Sequence, residues 1–187
     1  MSERDEGQLI ARALAGQAHA FDALVRDYTP QLYRLAVRML GDEGEAEDAL
    51  QETLIRAFRY LNRYRGDAAF GTWLYAIAAR VCLTKRRAAK HRLAMVPYDE
   101  VQAAVGDTTD RILQREAGER VQQVLNTLPP QDRLLMILRF VEGLSHEEIA
   151  RVLGCSAVTS RTRLLRARRL FQERYQRGLD DDNLCTI

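Results

Sequence analysis

Ser145 to Arg174 reads SHEEIARVLGCSAVTSRTRLLRARRLFQER, and its punctuation decides how the C-terminal third folds. It opens with S-x-x-E, so Ser145 can cap a helix while Glu148 reaches back to it, a capping box. Ile149, Val152 and Leu153 make one apolar face, and Ala150 is small enough to admit a neighbouring helix. Gly154 supplies a turn residue and Ser156 a second cap, after which Ala157 to Tyr175 reads as one longer helix. Two helices joined by a short glycine-containing turn have the layout of a helix-turn-helix. An αα-hairpin that only packs has the same layout, so geometry alone leaves both open.

The second helix discriminates between them. At about 100° per residue, Ala157, Ser160, Leu164, Ala167 and Phe171 share an inward face. Val158, Thr162, Leu165, Arg166 and Arg169 share another, with Arg161 and Arg168 between the two and Arg163 on the far side. Arginine bonds guanine edges or phosphates, while a threonine methyl or a leucine meets a thymine methyl. A helix lying on a membrane needs a broad apolar face of large residues. Here the inward face holds two alanines and a serine, which suits close packing to another helix. DNA reading is the better account.

Working outward, the chain has 187 residues, 47% hydrophobic and 29% charged, which is ordinary for a soluble globular protein. Its net charge of +2 conceals a strong asymmetry. Gly41 to Glu52 carries Asp42, Glu43, Glu45, Glu47, Asp48 and Glu52 with no base, whereas Lys85 to Arg92 (KRRAAKHR) carries five bases and no acid. Blocks of both signs imply partners of both signs. No stretch approaches the roughly 20 apolar residues of a membrane span, and the start MSERDEGQL lacks a secretory pattern. A cytoplasmic protein is expected. Cys82, Cys155 and Cys185 lack metal or disulfide spacing, and His19, His91 and His146 are scattered. No metal and no cofactor is expected. Cys82 and Cys155 read as buried thiols, Cys185 as exposed.

Helical periodicity runs through the rest. Leu9 to Ala15 reads as a short helix, and Ala20 to Leu40 as helix bent or divided at Pro30. Glu45 to Tyr60 has an apolar stripe with acids in its first turn, where the helix dipole favours them. Asn62 to Phe70 is a polar turn, and Thr72 to Arg92 a helix whose first half is apolar and second half basic. Arg92 to Asp110 loses periodicity and reads as a linker. Arg111 to Leu128 and Gln131 to Val141 are helices separated by Pro129 and Pro130. No strand alternation appears. The fold class is all-α: two small helical domains, an N-terminal bundle over 1–92 and a C-terminal four-helix unit over 111–177, joined by a linker over 93–110 and followed by a polar tail over 178–187.

LPPQDRLLMILRFVEGLSHEEIARVLGCSAVTSRTRLLRARRL, Leu128 to Leu170, resembles the promoter −35-reading domain of bacterial sigma factors of the extracytoplasmic-function group. Phe21 to Val25, then AEDALQETLIRAFRYL, then YRGDAAFGTWLYAIAARVCL follow that group's second-region pattern in the same order. The resemblance spans about Leu9 to Gln176. It implies a non-catalytic initiation subunit that binds core RNA polymerase at the β′ clamp and the β flap, reads promoter DNA and melts the −10 region. It also implies an anti-sigma factor, in many members membrane-anchored, which would hold the protein at the inner membrane. No small-molecule substrate is implied.

Residue by residue, the resemblance assigns Asp48, Gln51 and Glu52 to docking on the β′ clamp helices, although from this helix alone a solvated acidic face is the preferred reading. Tyr64 and Arg65, with Gly66 and Asp67, match the loop that captures a flipped −10 base, where an aromatic or planar cation offsets the few kcal/mol of unstacking. Trp73 matches an aromatic of the TWLY signature, a position that pattern alone assigns to the core. Lys85, Arg86, Arg87 and Lys90 would meet phosphates, adding affinity and salt dependence. Arg161, Thr162, Leu165 and Arg166 match positions that enter the −35 major groove. Arg169 shares their arc, where a phosphate contact is an equal reading. Arg139 and Ser145 match backbone contacts that fix register.

Four positions depart from the group's pattern. Arg80 stands where Asn is frequent and Thr84 where Asp is frequent, both on the −10-reading helix. Val158 replaces a common Gly and Ser160 a common Val. The promoter sequence therefore cannot be copied from relatives. Among rivals, a dimeric helix-turn-helix regulator would leave the D-x-x-Q-E helix and the TWLY segment without a role. A small helical enzyme lacks a nucleophile–base pair, metal spacing or phosphate-cradling loop. An interaction adaptor has no need of the retained arginines.

Overall fold

In a computed structural model of the chain, residues 3–93 and 109–184 are described, with side chains described for 5–89 and 118–178. Every regular element among them is helical. The first half contains α1 (Glu3–Leu14), α2 (Ala18–Val25), α3 (Thr29–Leu40), α4 (Glu43–Tyr60), a 3-10 turn at Leu61–Arg63, and α5 (Phe70–Leu93). The second half contains α6 (Thr109–Thr127), α7 (Pro130–Phe140), α8 (His146–Leu153) and α9 (Ala157–Leu184). Residues 94–108, nearly all of the expected linker, lie outside the described residues, as does Cys185.

Local chemistry accounts for the boundaries. Pro30 divides the expected Ala20–Leu40 helix outright, because it sits in the first turn of α3, where no intrahelical donor is lost. Gly41 ends α3 at φ 78°, and the Asp42 carboxylate then caps α4 by accepting from the Glu45 amide at 2.7 Å. α9 runs nine residues beyond the expected Tyr175, carrying the helix into the acidic run that was read as a tail. From Gln176 to Leu184 the sequence holds only Leu179 and Leu184 as large apolar residues, so no apolar periodicity marks the extension.

The first-half core gathers Phe21, Leu24, Leu35, Met39, Phe70 and Leu74, all buried. Ala46, Ala49 and Ala57 on α4 are fully buried too, so α4 lies close against α3 and α5. Thr53 is buried beside them, and its hydroxyl donates to the Ala49 carbonyl at 2.7 Å. Gly71 is required where it stands: a Cβ there would lie 2.8 Å from the Tyr28 ring. The second core gathers Leu125, Leu134, Leu135, Leu138, Ile149, Leu164 and Ala167.

The two halves are in contact. α3 packs on α7, and α5 packs on α8. The C-terminal carbonyls of α3 take donors from the second half: Gln122 donates to Arg38 O at 3.1 Å and Arg133 to Met39 O at 2.9 Å.

Candidate nucleic-acid interface

The capping box forms as its spacing predicts. Ser145 accepts from the Glu148 amide at 3.2 Å, and the Glu148 carboxylate accepts from the Ser145 amide at 2.8 Å and hydroxyl at 2.7 Å. Those bonds, the hydroxyl's first, hold the Glu148 carboxyl below the usual carboxylate range. Arg139 donates to the Leu144 carbonyl at 2.8 Å and so braces the loop that leads into α8. Ser145 and Arg139 therefore already have structural partners within the chain. Gly154 closes α8 at φ 65°, and Ser156 accepts from the Thr159 amide at 3.1 Å to start α9.

The faces of α9 divide as the wheel requires. Ser160, Leu164 and Ala167 are buried, while Thr162, Arg166 and Arg169 are exposed, with Val158 at 69% and Leu165 at 68%. Two large apolar residues bared beside arginines, on a helix with a good core of its own, form a surface that lacks its complement. The Thr162 hydroxyl donates back to the Val158 carbonyl at 3.1 Å. Arg161 pairs with Glu147 of α8 at 3.0 Å and Arg169 with Glu173 at 3.0 Å, whereas Arg166 has no ion-pair partner among the described residues. The other arginines serve packing: Arg163 lines a cleft against α5, Arg168 lines an apolar groove, and Arg174 donates to the Thr127 carbonyl.

In the first half, Tyr64 and Trp73 belong to one aromatic cluster around the fully buried Phe70. Tyr64 meets Phe70 edge-on at 5.4 Å and Trp73 at 5.5 Å, and its hydroxyl donates to the Ala68 carbonyl at 2.8 Å. Both rings are half-buried, so each has a core side and an open side. Gly66, at φ 76°, turns the loop that leaves Arg65 exposed beside them. Arg80 and Thr84 are exposed one turn apart on α5, joined by the Thr84 hydroxyl donating to the Arg80 carbonyl at 2.8 Å.

The basic block is partly engaged within the chain. Lys85 pairs with Glu45 at 3.0 Å and Asp48 at 3.6 Å, so the acidic and basic blocks touch. Arg86 is half-buried and donates to Met39 O at 2.9 Å, while Arg87 is exposed. Lys90 lies outside the described side chains. To meet phosphates, Lys85 and Arg86 must exchange these partners.

Asp48 and Gln51 are exposed on α4, with Glu52 half-exposed and paired to Arg56. The same face continues into Ile55, 52% exposed, and Phe58, 48% exposed. Sequence reasoning missed these two, although their i+7 and i+10 spacing from Asp48 was the available signal. An acidic start followed by bare apolar residues suits docking better than solvation. A further apolar groove of about 430 Å³ lies between Val121, Met136, Phe140, Val141 and Phe171, with Arg38 and Arg168 among its lining residues. Among the described residues there is no cluster able to hold a metal, and no helix is long and apolar enough to cross a membrane.

These surfaces coincide with known families. Sigma-70 region 2 matches residues 24–92 and sigma-70 region 4 matches residues 118–171. RNA polymerase sigma-H factor of Pseudomonas aeruginosa is 35% identical, across 94% of this chain and 96% of that protein. The ECF RNA polymerase sigma factor SigM of Mycobacterium tuberculosis is 36% identical, across 89% of this chain and 82% of that one. The structure of CnrH in complex with the cytosolic domain of CnrY aligns at a TM-score of 0.66 and 26% identity, across 95% of this chain and 99% of that one. With both regions matched in order and relatives spanning nearly its whole length, the chain belongs to the ECF family of RNA polymerase sigma factors.

Proposed function

We propose that this chain is a non-catalytic initiation subunit that binds core RNA polymerase and directs it to promoters through −10 and −35 contacts. One observation carries the −35 half: the bare face of α9, where Val158, Thr162, Leu165 and Arg166, which has no ion-pair partner among the described residues, stand together on the helix that follows the capped α8. Arg161 and Arg166 enter the groove, where Arg166 bonds a base edge, Thr162 and Leu165 meet base methyls, and Arg169, Arg139 and Ser145 set the register. Tyr64, Arg65 and Trp73 receive the opened −10 strand, Arg80 and Thr84 read it, and Lys85, Arg86 and Arg87 hold phosphates. The face of Asp48, Gln51 and Glu52, extended by Ile55 and Phe58, docks on the β′ clamp, and region 4 meets the β flap.

The protein acts in the bacterial cytoplasm under an anti-sigma factor that holds it at the inner membrane. The resemblance to the family supports this partner, as does the capture of CnrH in a complex with a cytosolic domain. Run-off transcription with purified core polymerase tests the reading. Initiation at specific starts is expected only when the chain is added. A chain that footprints a palindrome by itself and never confers initiation would be a stand-alone regulator.

A further inference from the structure

Glu6 of α1 reaches the aromatic cluster that carries the Tyr64 loop. Its carboxylate accepts the Tyr28 hydroxyl at 2.7 Å. The Tyr28 ring in turn meets Phe70 edge-on at 5.7 Å, the same ring that Tyr64 meets. Gly71 admits Tyr28 there, since a Cβ at that position would touch its ring. α1 also lies against Leu61–Arg63, the 3-10 turn that leads into Tyr64. Burial first, and then the charge of Glu6, push the Tyr64 phenol up, so that charge is felt at the loop. Glu6 is half-buried, and Tyr28 is its only hydrogen-bond partner among the described residues, which leaves the carboxylate with acceptor sites to spare. Asp67, the acid of the loop itself, is exposed and held by no hydrogen bond among the described residues.

The mouth of the cluster therefore offers open aromatic faces, the exposed cation Arg65 and one braced anion. A carboxylate repels phosphate and can only accept hydrogen bonds, so what it can hold of a nucleic acid is an N–H of a base. Adenine, cytosine and guanine carry an exocyclic amino group; thymine carries none and turns carbonyl oxygens to its surroundings. We propose that Glu6 is a specificity-determining residue of the −10 capture site: its carboxylate accepts the exocyclic amino group of the captured base and so discriminates against thymine. Tyr28 is its positioning residue. The proposal rests on the assignment of Tyr64 and Arg65 to base capture.

The test uses holoenzyme assembled with core polymerase and forked DNA that is single-stranded through the −10 element. An abasic site is first moved through the element, and the position where it costs most affinity is the captured one. At that position cytosine is compared with thymine and with 2-pyrimidinone, which is cytosine without its amino group. Wild type is expected to bind the two amino-free bases roughly tenfold more weakly than cytosine, the effect of one hydrogen bond to a charged group. Glu6→Ala should bring all three within about twofold, and the isosteric Glu6→Gln should leave about a threefold preference, as a neutral acceptor does. Tyr28→Phe should reduce the preference while leaving affinity for the abasic fork unchanged, a split that a purely structural role for Tyr28 does not give. Asp67→Ala should keep the full preference. Equal ratios in wild type and Glu6→Ala, or a loss of preference in Asp67→Ala alone, overturns the assignment of Glu6. A gain in affinity shared by every base and the abasic fork would make Glu6 a charge near the backbone and likewise overturns it. If an abasic site costs nothing at any position in wild type, base capture itself fails, and the role of Glu6 falls with it.

Discussion

Arg86 and Arg133 donate to the same carbonyl oxygen, that of Met39, each at 2.9 Å. The carbonyl belongs to the last turn of α3, at the negative end of the helix dipole, which is where cations are favoured. Arg133 is fully buried and also donates to Leu125 O at 2.6 Å. Burial first, and then the neighbouring charge of Arg86, push the Arg133 guanidinium down to about 10. Two like charges thus sit on one acceptor at the seam between the halves.

Arg133→Ala is expected to lower the stability of the chain by about 3 kcal/mol in urea unfolding, because it empties a packed, fully buried site and removes one charged donor from each of two carbonyls. Arg86→Ala should cost only about 1 kcal/mol, since Arg86 is half-exposed and its loss relieves repulsion on Arg133. The double variant should lose more than the sum, because the repulsion is relieved only once and the Met39 carbonyl then loses both donors. Additive losses would show that the guanidiniums do not feel each other.

Ser160 carries a second expectation. It is fully buried on the inward face of α9, and its hydroxyl finds no hydrogen-bond partner among the described residues. Ser160→Ala removes an unsatisfied polar group and almost no volume. Stability should rise by about 1 kcal/mol, or about 3 °C in Tm by calorimetry. A loss instead of a gain would mean that the hydroxyl is satisfied in solution.

Alkaline pH gives a third. Cys82 is buried in α5, and burial pushes its thiol up to about 12 from the usual 9. In the unfolded chain the thiol ionises near 9, so the folded state holds an extra proton above that pH, and stability falls as pH rises from about 9 towards 12. Between pH 8 and 10 this group alone should remove about 1.4 kcal/mol. Tyr28 and Tyr75 act in the same direction from about pH 10, both raised by burial first and then by their bonds to Glu6 and Glu142. Urea titrations at pH 8, 9 and 10 should show the fall, and Cys82→Ala should flatten its first part.

Legibility followed the range of the interaction. The capping box at Ser145, the turn at Gly154 and the inward and outward faces of α9 are local or periodic, and all were readable from spacing. Pro30 marked a division without saying whether helix would bend or break, because that depends on what packs beside it. The seam was not legible. Arg133 reads as one more charge in PPQDRLLMIL, and only the carbonyl of Met39, far away in the chain, explains its burial. Tyr75 and Glu142 are likewise paired by the fold and by no pattern. The loop at Tyr64–Asp67 was legible as a motif, but the use of Tyr64 as a loop brace, through Ala68, was not.

The arginines of α9 supply the last expectation. Arg161 and Glu147 are both more than half exposed, so their ion pair contributes little to stability. On the proposed −35 reading its consequence lies in binding: Glu147 puts a negative charge beside the exposed face of α9 and occupies the Arg161 guanidinium that would otherwise meet DNA. Glu147→Ala should therefore tighten −35 duplex binding by the holoenzyme and steepen its salt dependence by about one counterion, as Arg161 turns to phosphate. Arg166→Ala should act differently. With no ion-pair partner among the described residues, Arg166 is available to a base edge on the proposed reading, and its loss should cost about 1–3 kcal/mol on some −35 sequences and much less on others. Holoenzyme affinity across a set of single-base −35 variants separates the two. A sequence-independent loss for Arg166→Ala, matching that of Arg169→Ala, would reassign Arg166 to the phosphate backbone and leave Thr162 and Leu165 as the readers.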